Sequence, residues 1–208
     1  MALQPIPLTG ADIAFDPGWL PAAQADVLFE SLLREVPWEV HRIRIFGRTV
    51  DSPRLSCWIG DADARYRYSG AVFEPRPWPA TLAAVRERLE NELGCGFNSV
   101  LANRYRDGRD AMGWHRDDEP ELGVQPVIAS LSLGATRRFR LKPDDAAVAP
   151  LSLDLPHGSL LVMRGDTQAA FRHALPRTAK AVGERINLTF RRIVVRHERN
   201  QALEKTLR

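Results

Sequence analysis

The sequence predicts an α+β fold that is mainly β: a jelly-roll (double-stranded β-helix) core preceded by N-terminal helices. Two segments before residue 95 repeat apolar residues at helical spacing, and from about residue 97 onward the period changes to the alternation of strands. The chain has 208 residues, 44% of them apolar, which is enough for one sizeable core and short for two. We therefore expect a single structural domain.

Two helices are predicted in the first half of the chain. Segment 21–36 begins with Pro21 and then places apolar residues three or four positions apart, which is typical of an amphipathic helix. Segment 79–93 repeats this pattern, and it is followed by Gly94, where a left-handed C-cap would be needed.

Short alternating stretches separated by turn-forming residues predict an antiparallel β domain. They are 98–105, 127–133, 136–142, 158–163 and 185–195. Residues 41–73 are also strand-like, but they are rich in arginine and aromatic residues. A jelly roll accommodates many short strands, and its interior can hold a ligand or a metal. The polar segment 196–208 is expected to be a frayed tail or a short helix.

Composition excludes several classes of protein. The chain has no apolar run of about 18 residues and no signal peptide, so we expect a soluble intracellular protein without a membrane segment. Cys57 and Cys95 lie far apart and lack zinc-site spacing, so both are predicted to be buried or neutral thiols. The net charge of +3 is too small to indicate a nucleic-acid partner. All but three of the basic residues are arginines, which base composition explains as readily as phosphate binding does.

A potential metal site begins with His115 and Asp117, whose side chains project from one side of an extended segment. His173 is the candidate for a third ligand, carried by another strand. Two imidazoles and one carboxylate form the facial triad of non-haem Fe(II) oxygenases, which leaves three coordination positions open. His-x-Asp alone is common by chance and is more often a pair of residues in a solvated loop, so the motif needs further support.

That support comes from segment 185–191, in which polar and apolar residues alternate. Two guanidiniums, an amide and a hydroxyl would share one side of a strand there, and arginine binds carboxylates through charge-assisted forks. A half-exposed strand would show the same alternation. Asn103 and Tyr105, also two apart, offer further hydrogen bonds to a small dicarboxylate.

Taken in order, these motifs resemble the signature of the AlkB family of Fe(II)/2-oxoglutarate dioxygenases, over roughly residues 40–195. The motifs are Asn103-Arg104-Tyr105, His115-Arg116-Asp117, His173 and Arg185-x-Asn187-x-Thr189-x-Arg191. Within the family the chain resembles most the duplex-DNA repair type. That likeness rests on Ile45-Phe46-Gly47, Tyr68-Ser69-Gly70, Pro75-x-Pro77-Trp78, His115-Arg116-Asp117-Asp118-Glu119 and Gly158-Ser159-Leu160-Leu161.

The resemblance implies that His115, Asp117 and His173 hold Fe(II). It also implies that the cosubstrate 2-oxoglutarate is held by Asn103, Tyr105, Arg185, Asn187 and Arg191. We place Arg185 with Asn103 and Tyr105 on the distal carboxylate, and Arg191 with Asn187 near the iron, although the sequence leaves open which guanidinium takes which end. Thr189 would support the strand.

The resemblance also implies contacts to a flipped base and to the DNA around it. Tyr66, Tyr68 and Ser69 match positions near that base, with Tyr68 as the stacking ring. Asp118 and Glu119 would suit a cationic methylated base, or they form a solvated acidic turn. Phe46 resembles an apolar finger that fills the gap in the duplex, the alternative being a core Phe. Candidate phosphate contacts are Arg42, Arg44, Arg48, Arg54, Arg137 and Arg138. His157 is expected to cap a turn, and His41 and His197 to lie on the surface.

The implied function is oxidative dealkylation of DNA bases such as 1-methyladenine and 3-methylcytosine, using O₂ and releasing formaldehyde and succinate. The alternatives are a dioxygenase that acts on RNA or protein, and a non-catalytic nucleic-acid binding module. We expect residues 1–95 to form the N-terminal helices and a nucleotide-recognition lid, 96–195 the catalytic core and 196–208 a tail. A monomer is expected, cytoplasmic, associated with the nucleoid if bacterial and nuclear if eukaryotic.

Overall fold

The computed structural model describes residues 2–45, 48–68 and 71–194. The helices are α1 (Ala22–Glu35), α2 (Ala80–Leu93) and the short α3 (Thr167–Ala170). The strands are β1 (Gln4–Pro5), β2 (Asp12–Asp16), β3 (Glu39–Ile45), β4 (Arg48–Gly60), β5 (Tyr66–Tyr68), β6 (Ala71–Phe73), β7 (Ser99–Tyr105), β8 (Met112–His115), β9 (Ile128–Gly134), β10 (Arg137–Pro143), β11 (Leu151–Leu155), β12 (Ser159–Arg164), β13 (Phe171–Leu175) and β14 (Arg185–Arg191).

Two antiparallel sheets form the body of the fold. The large sheet has the strand order β1-β2-β12-β9-β14-β7-β4-β3, and the small sheet has the order β11-β10-β13-β8. Strands β5 and β6 form a separate pair. The mainly β jelly-roll expectation is therefore confirmed.

The large sheet buries both of its faces, which sets the direction of every side chain on its central strands. On β9, Leu131 and Leu133 belong to the apolar cluster that includes residues of α1 and α2, whereas Ile128 belongs to a second cluster with Phe139 and Leu141 of the small sheet. Because successive side chains of a strand point to opposite faces, one face packs on the helices and the other faces the small sheet. The functional side chains lie in the space between the sheets.

The predicted helices are confirmed, and α2 ends at Gly94 with φ 65°, in the left-handed region that favours glycine. The stretches predicted as strands correspond to β7, β9, β10, β12 and β14. No helix of the described ranges is long and apolar enough to cross a membrane.

Strands on both sides of residue 95 share the large sheet, since β2 pairs with β12 and β4 pairs with β7. The division at 95 and 195 stays a prediction, and the expected tail at 196–208 lies outside the described residues.

Candidate active site

Three potential metal ligands meet between the two sheets. His115 ends β8 and His173 lies on β13, and the two residues are direct partners in the pairing of these strands. Their ring centroids are 4.1 Å apart. With Asp117, which follows β8, they offer ligand atoms that all lie within 4.8 Å of one another. The structure thus brings together the three residues that the sequence proposed as a triad.

Both imidazoles are held neutral, as a metal ligand must be. Burial, followed by the nearby His115 ring, lowers the pKa of His173 to about 3. Loss of hydration also lowers the pKa of His115 below its ordinary value. The Nδ1 atom of His115 lies 2.9 Å from the carbonyl oxygen of Gly113. A carbonyl can only accept, so Nδ1 carries the proton and Nε2 keeps its lone pair for a metal.

Asp117 supplies the anionic ligand. Burial would raise its pKa, but the positive charge of Arg191 and the hydrogen bond from it hold that pKa below the ordinary value. Arg191 donates from Nη2 to Oδ1 at 2.7 Å, and the backbone N–H of Asp117 donates to Oε1 of Gln168 at 3.0 Å. Oδ2 is buried and has no hydrogen-bond partner among the described residues. An orphaned carboxylate oxygen beside two neutral imidazoles fits Fe(II).

The polar residues of β14 form a buried row beside this triad. Arg185, Asn187, Thr189 and Arg191 are each no more than 9% exposed. The strand lies between β9 and β7 in the large sheet, so its polar side faces the small sheet rather than water. The alternative of a half-exposed strand is therefore wrong.

Arg185 is a buried cation without a carboxylate partner among the described residues. Its guanidinium donates to Oγ of Ser132 at 2.8 Å and to Oδ1 of Asn187 at 2.6 Å. Burial lowers its pKa to about 10. It forms no ion pair with any carboxylate in the described part of the chain, and its Nε has no hydrogen-bond partner there. A buried charge without a counterion is costly, so a carboxylate ligand suits this position.

The predicted partners on β7 lie beside the polar residues of β14. Tyr105 is the register partner of Arg185 and Asn103 is that of Asn187. The Arg185 guanidinium carbon lies 5.2 Å from the Tyr105 ring centroid. Asn187 donates to Oγ1 of Thr189 at 2.9 Å, which gives Thr189 the supporting contact expected of it. Which arginine takes which carboxylate stays a prediction.

Two of the expected phosphate contacts are wrong, because both guanidiniums are buried and already bonded. Arg54 donates from Nε to Oδ1 of Asn103 at 2.6 Å and is 6% exposed. Arg137, 3% exposed, donates to the backbone carbonyls of Asp107, Asp110 and Pro176. The burial of these two arginines could not be predicted from the sequence, because the sequence does not show whether an arginine on a strand points inward or outward.

The other phosphate candidates remain predictions. Arg138 pairs with Asp154 and Arg42 lies near Asp51, both half-exposed or more. Of Arg44 and Arg48 only the backbone is described.

The expected contacts to a flipped base also remain predictions. Phe46 and Ser69 lie outside the described residues. Tyr66 and Tyr68 belong to β5, of which only the backbone is described. The Asp118 side chain is 57% exposed and lies 3.8 Å from Arg116, and Glu119 directly precedes a 3-10 turn.

Several residues around the pocket carried no sequence motif. Gln168 is 2% exposed, bonds the Asp117 backbone and donates to the thioether of Met163. Ser130 and Ser132 bond the polar row from β9. Apolar residues close the remaining walls: Leu101, Met112, Phe139, Met163, Ala174 and Leu175.

His157 and the two cysteines lie outside the residues that line this pocket. His157 caps a turn as predicted, since its Nδ1 accepts from the Gly134 N–H at 2.7 Å. Cys57 is a free buried thiol whose pKa burial raises to about 11, so it is neutral as expected. Cys95 is also free, and burial raises the pKa of its thiol.

Comparisons with known proteins match most of the chain. The model of the 2OG-Fe(II) oxygenase superfamily matches residues 12–191. The chain is 41% identical over 186 residues to Alpha-ketoglutarate-dependent dioxygenase alkB homolog 3 of Bos taurus, which covers 85% of this chain and 64% of that protein. It is 40% identical over 183 residues to DNA oxidative demethylase ALKBH2 of Homo sapiens, covering 83% of this chain and 70% of that protein.

The chain therefore spans slightly less than two thirds of the length of the first of these relatives. A solved structure, titled "The structure of OsALKBH1", superposes with a TM-score of 0.58 at 16% identity, covering 91% of this chain and 99% of that one. At that identity the likeness shows the shared fold.

Proposed function

Because the chain belongs to the 2OG-Fe(II) oxygenase superfamily and to its AlkB family, we propose that it is an Fe(II)- and 2-oxoglutarate-dependent dioxygenase that removes alkyl groups from nucleic-acid bases. The observation that carries the proposal is the pairing of two sites in one cavity. The His115, Asp117 and His173 cluster lies in the same pocket as the buried cation of Arg185.

Each side chain then has a defined task. His115 through Nε2, His173 and the Oδ2 atom of Asp117 would hold the metal. Arg191 fixes Oδ1 of Asp117, so the carboxylate cannot rotate freely. When bound, iron supplies the oxidation in which 2-oxoglutarate and O₂ yield succinate, CO₂ and a hydroxylated alkyl group on the base. An N-hydroxymethyl group then leaves as formaldehyde.

The pocket positions the cosubstrate and keeps water out. We assign the distal carboxylate to Arg185, Asn103 and Tyr105, since the guanidinium there has no other counterion within the described chain. Neutralising that charge stabilises both partners. Met163, Phe139 and Leu175 form apolar walls that limit water near the reacting atoms.

We assign DNA as the substrate, with 1-methyladenine and 3-methylcytosine as the lesions. The relatives named as DNA oxidative demethylases support this choice. A base inside a duplex cannot reach a site between two sheets, so it would have to be flipped out. Tyr66, Tyr68 and Ser69 would hold it, with Asp118 and Glu119 near its charged edge. We further propose that the chain acts as a monomer in the nucleoid or nucleus.

Turnover of an alkylated oligonucleotide tests the proposal directly. Incubating the protein with Fe(II), ascorbate, 2-oxoglutarate and a DNA oligonucleotide that carries 1-methyladenine should yield formaldehyde and succinate in equal amounts. Asp117→Asn keeps the shape of the side chain and should abolish both products. If DNA that carries 1-methyladenine and DNA that carries 3-methylcytosine both give no turnover, the assignment to DNA is overturned. Turnover on methylated RNA alone would show that RNA is the substrate.

Phe46→Ala tests the finger role. We expect its activity to fall more on duplex DNA than on single strands, because the wedge acts only in a duplex. Equal losses on the two substrates would rule the role out.

A further inference from the structure

The outward side of the small sheet carries more positive charge than its own carboxylates balance. Strand β10 alternates strictly, with Arg138, Arg140 and Lys142 exposed and the residues between them buried. Arg172 of β13 and Trp114 of β8 are also exposed. We call these five side chains the outer face. The other side of the sheet packs into the core through Phe139 and Leu141.

Some of these charges are already paired. Arg138 bonds Asp154 at 2.8 Å, and Arg172 lies 3.3 Å from Asp144. Arg140 and Lys142 have no carboxylate within 4.0 Å in the part of the chain that the structure describes. The face therefore keeps free cations that a polyanion could neutralise.

One pair on this face opposes the stability of the sheet. Lys142 is the direct partner of Arg172 in the pairing of β10 with β13. Like charges directly opposite each other on neighbouring antiparallel strands are destabilising. An anion bound between the two side chains would offset this repulsion.

Trp114 adds an apolar surface to these charges. It is 46% exposed, and the Arg140 guanidinium carbon lies 5.7 Å from its ring centroid. Proteins that bind single-stranded nucleic acid combine aromatic rings with cations, because the ring stacks on a base of any identity while the cations bind phosphates.

The outer face and the candidate active site share strand β8. Trp114 directly precedes His115, and neighbouring side chains on a strand point to opposite sides of the sheet. When the His115 ring points into the pocket, the Trp114 ring points outward. Because β8 is an edge strand of the small sheet, a nucleic-acid strand whose alkylated base occupies the pocket could pass around that edge to the outer face.

We propose that the outer face binds the single-stranded segment that flanks the alkylated base, with a base stacked on Trp114 and phosphates on Arg140 and Lys142. This rests on the proposed function, because it assumes a nucleic-acid substrate. In this proposal the nucleic acid outside the pocket is bound by residues that take no part in metal or cosubstrate binding.

Substrates of different length distinguish the contribution of the outer face to activity from that of the pocket. The test compares kcat/KM on a methylated trinucleotide, too short to reach the face, with kcat/KM on a single-stranded 20-mer that carries the same lesion. In the double variant Trp114→Ala/Arg140→Glu the ratio of long to short substrate should fall roughly tenfold, the scale of one lost base stack. Arg34→Glu, on the exposed side of α1, makes the same charge change on another layer and should leave the ratio unchanged. An unchanged ratio in the double variant overturns the proposal.

Lys142→Glu provides a second readout. The new carboxylate faces Arg172, so Tm of the free protein should rise while affinity for an unmodified single-stranded 20-mer falls and its salt dependence weakens. A rise in Tm with no change in affinity would show that the face has no nucleic-acid role. This binding assay needs no turnover, so it tests the face even if the proposed function fails.

Discussion

Arg191 donates a hydrogen bond from Nη2 to Oδ1 of Asp117 over 2.7 Å, and the two side chains are only 5% and 4% exposed. This contact explains how one carboxylate can serve two partners. The guanidinium takes Oδ1, which leaves the buried Oδ2 for a metal. The last residue of β14 is thereby tied to the loop after β8.

Arg191→Lys should mainly impair use of the cosubstrate. Lysine keeps the charge but loses the planar fork that can bond Asp117 and a carboxylate together. We expect KM for 2-oxoglutarate to rise roughly tenfold, in the range found for losses around metal ligands. Steady-state kinetics with varied 2-oxoglutarate measure this. A change in kcat alone, with KM as in the wild type, would place Arg191 outside cosubstrate binding.

Gln168→Leu should weaken the metal site without touching a ligand. The amide oxygen of Gln168 holds the backbone N–H of Asp117, and its NH₂ group donates to Met163. Loss of such support typically costs about 10- to 100-fold in metal affinity. Titration of the metal-free protein with Mn(II) measures the change. Gln24→Leu, on the exposed side of α1, is the matched control. Equal affinities in the two variants would show that Gln168 serves packing only.

2-Oxoglutarate should stabilise the metal-loaded protein through Arg185. A ligand at 100 times its Kd contributes about 2.7 kcal/mol to the free energy of unfolding. Arg185→Lys loses the fork and should show a much smaller rise in Tm with 2-oxoglutarate. Succinate, which also carries two carboxylates, is a suitable second ligand. An equal rise in both proteins would move the cosubstrate away from Arg185.

The metal-free protein should lose stability on acidification, beginning near pH 6.5. His173 has a folded-state pKa of about 3, against an ordinary value of 6.5. Between these values the unfolded chain binds a proton that the folded chain does not, so the free energy of unfolding falls as pH falls. Urea denaturation at pH 7.5 and pH 5.0, with a chelator present, measures the difference. His173→Leu should show a smaller difference, and an unchanged one would assign the effect elsewhere.

The sequence predicted the helices and strands that are long enough to show a repeating pattern of apolar residues. Both main helices and five strands followed from spacing alone. Strands β8 and β13 were not among the stretches that alternation predicted, although the proposed metal site placed His115 on an extended segment and His173 on another strand. β8 spans four residues including Gly113, and β13 follows α3 without a turn residue between them. Short strands of this kind form because neighbouring strands pair with them, and a single sequence does not show pairing.

The site residues that could be predicted were likewise those with a regular local spacing. His115, Asp117 and the β14 row could be proposed because their spacing puts side chains on one side of a strand. The supporting groups could not, since Gln168 reaches Asp117 from 51 residues away in the chain. Arg54 and Arg137 look like surface arginines in the sequence, and only the packed structure shows that they bond Asn103 and backbone carbonyls.

The most direct test of the central claim is anomalous diffraction from crystals grown without oxygen, with Mn(II) and 2-oxoglutarate present. A single metal peak should lie within bonding distance of Nε2 of His115, Oδ2 of Asp117 and one ring nitrogen of His173. Density for 2-oxoglutarate should run from that peak to Arg185. A metal peak elsewhere, or none at these three side chains, would contradict the account.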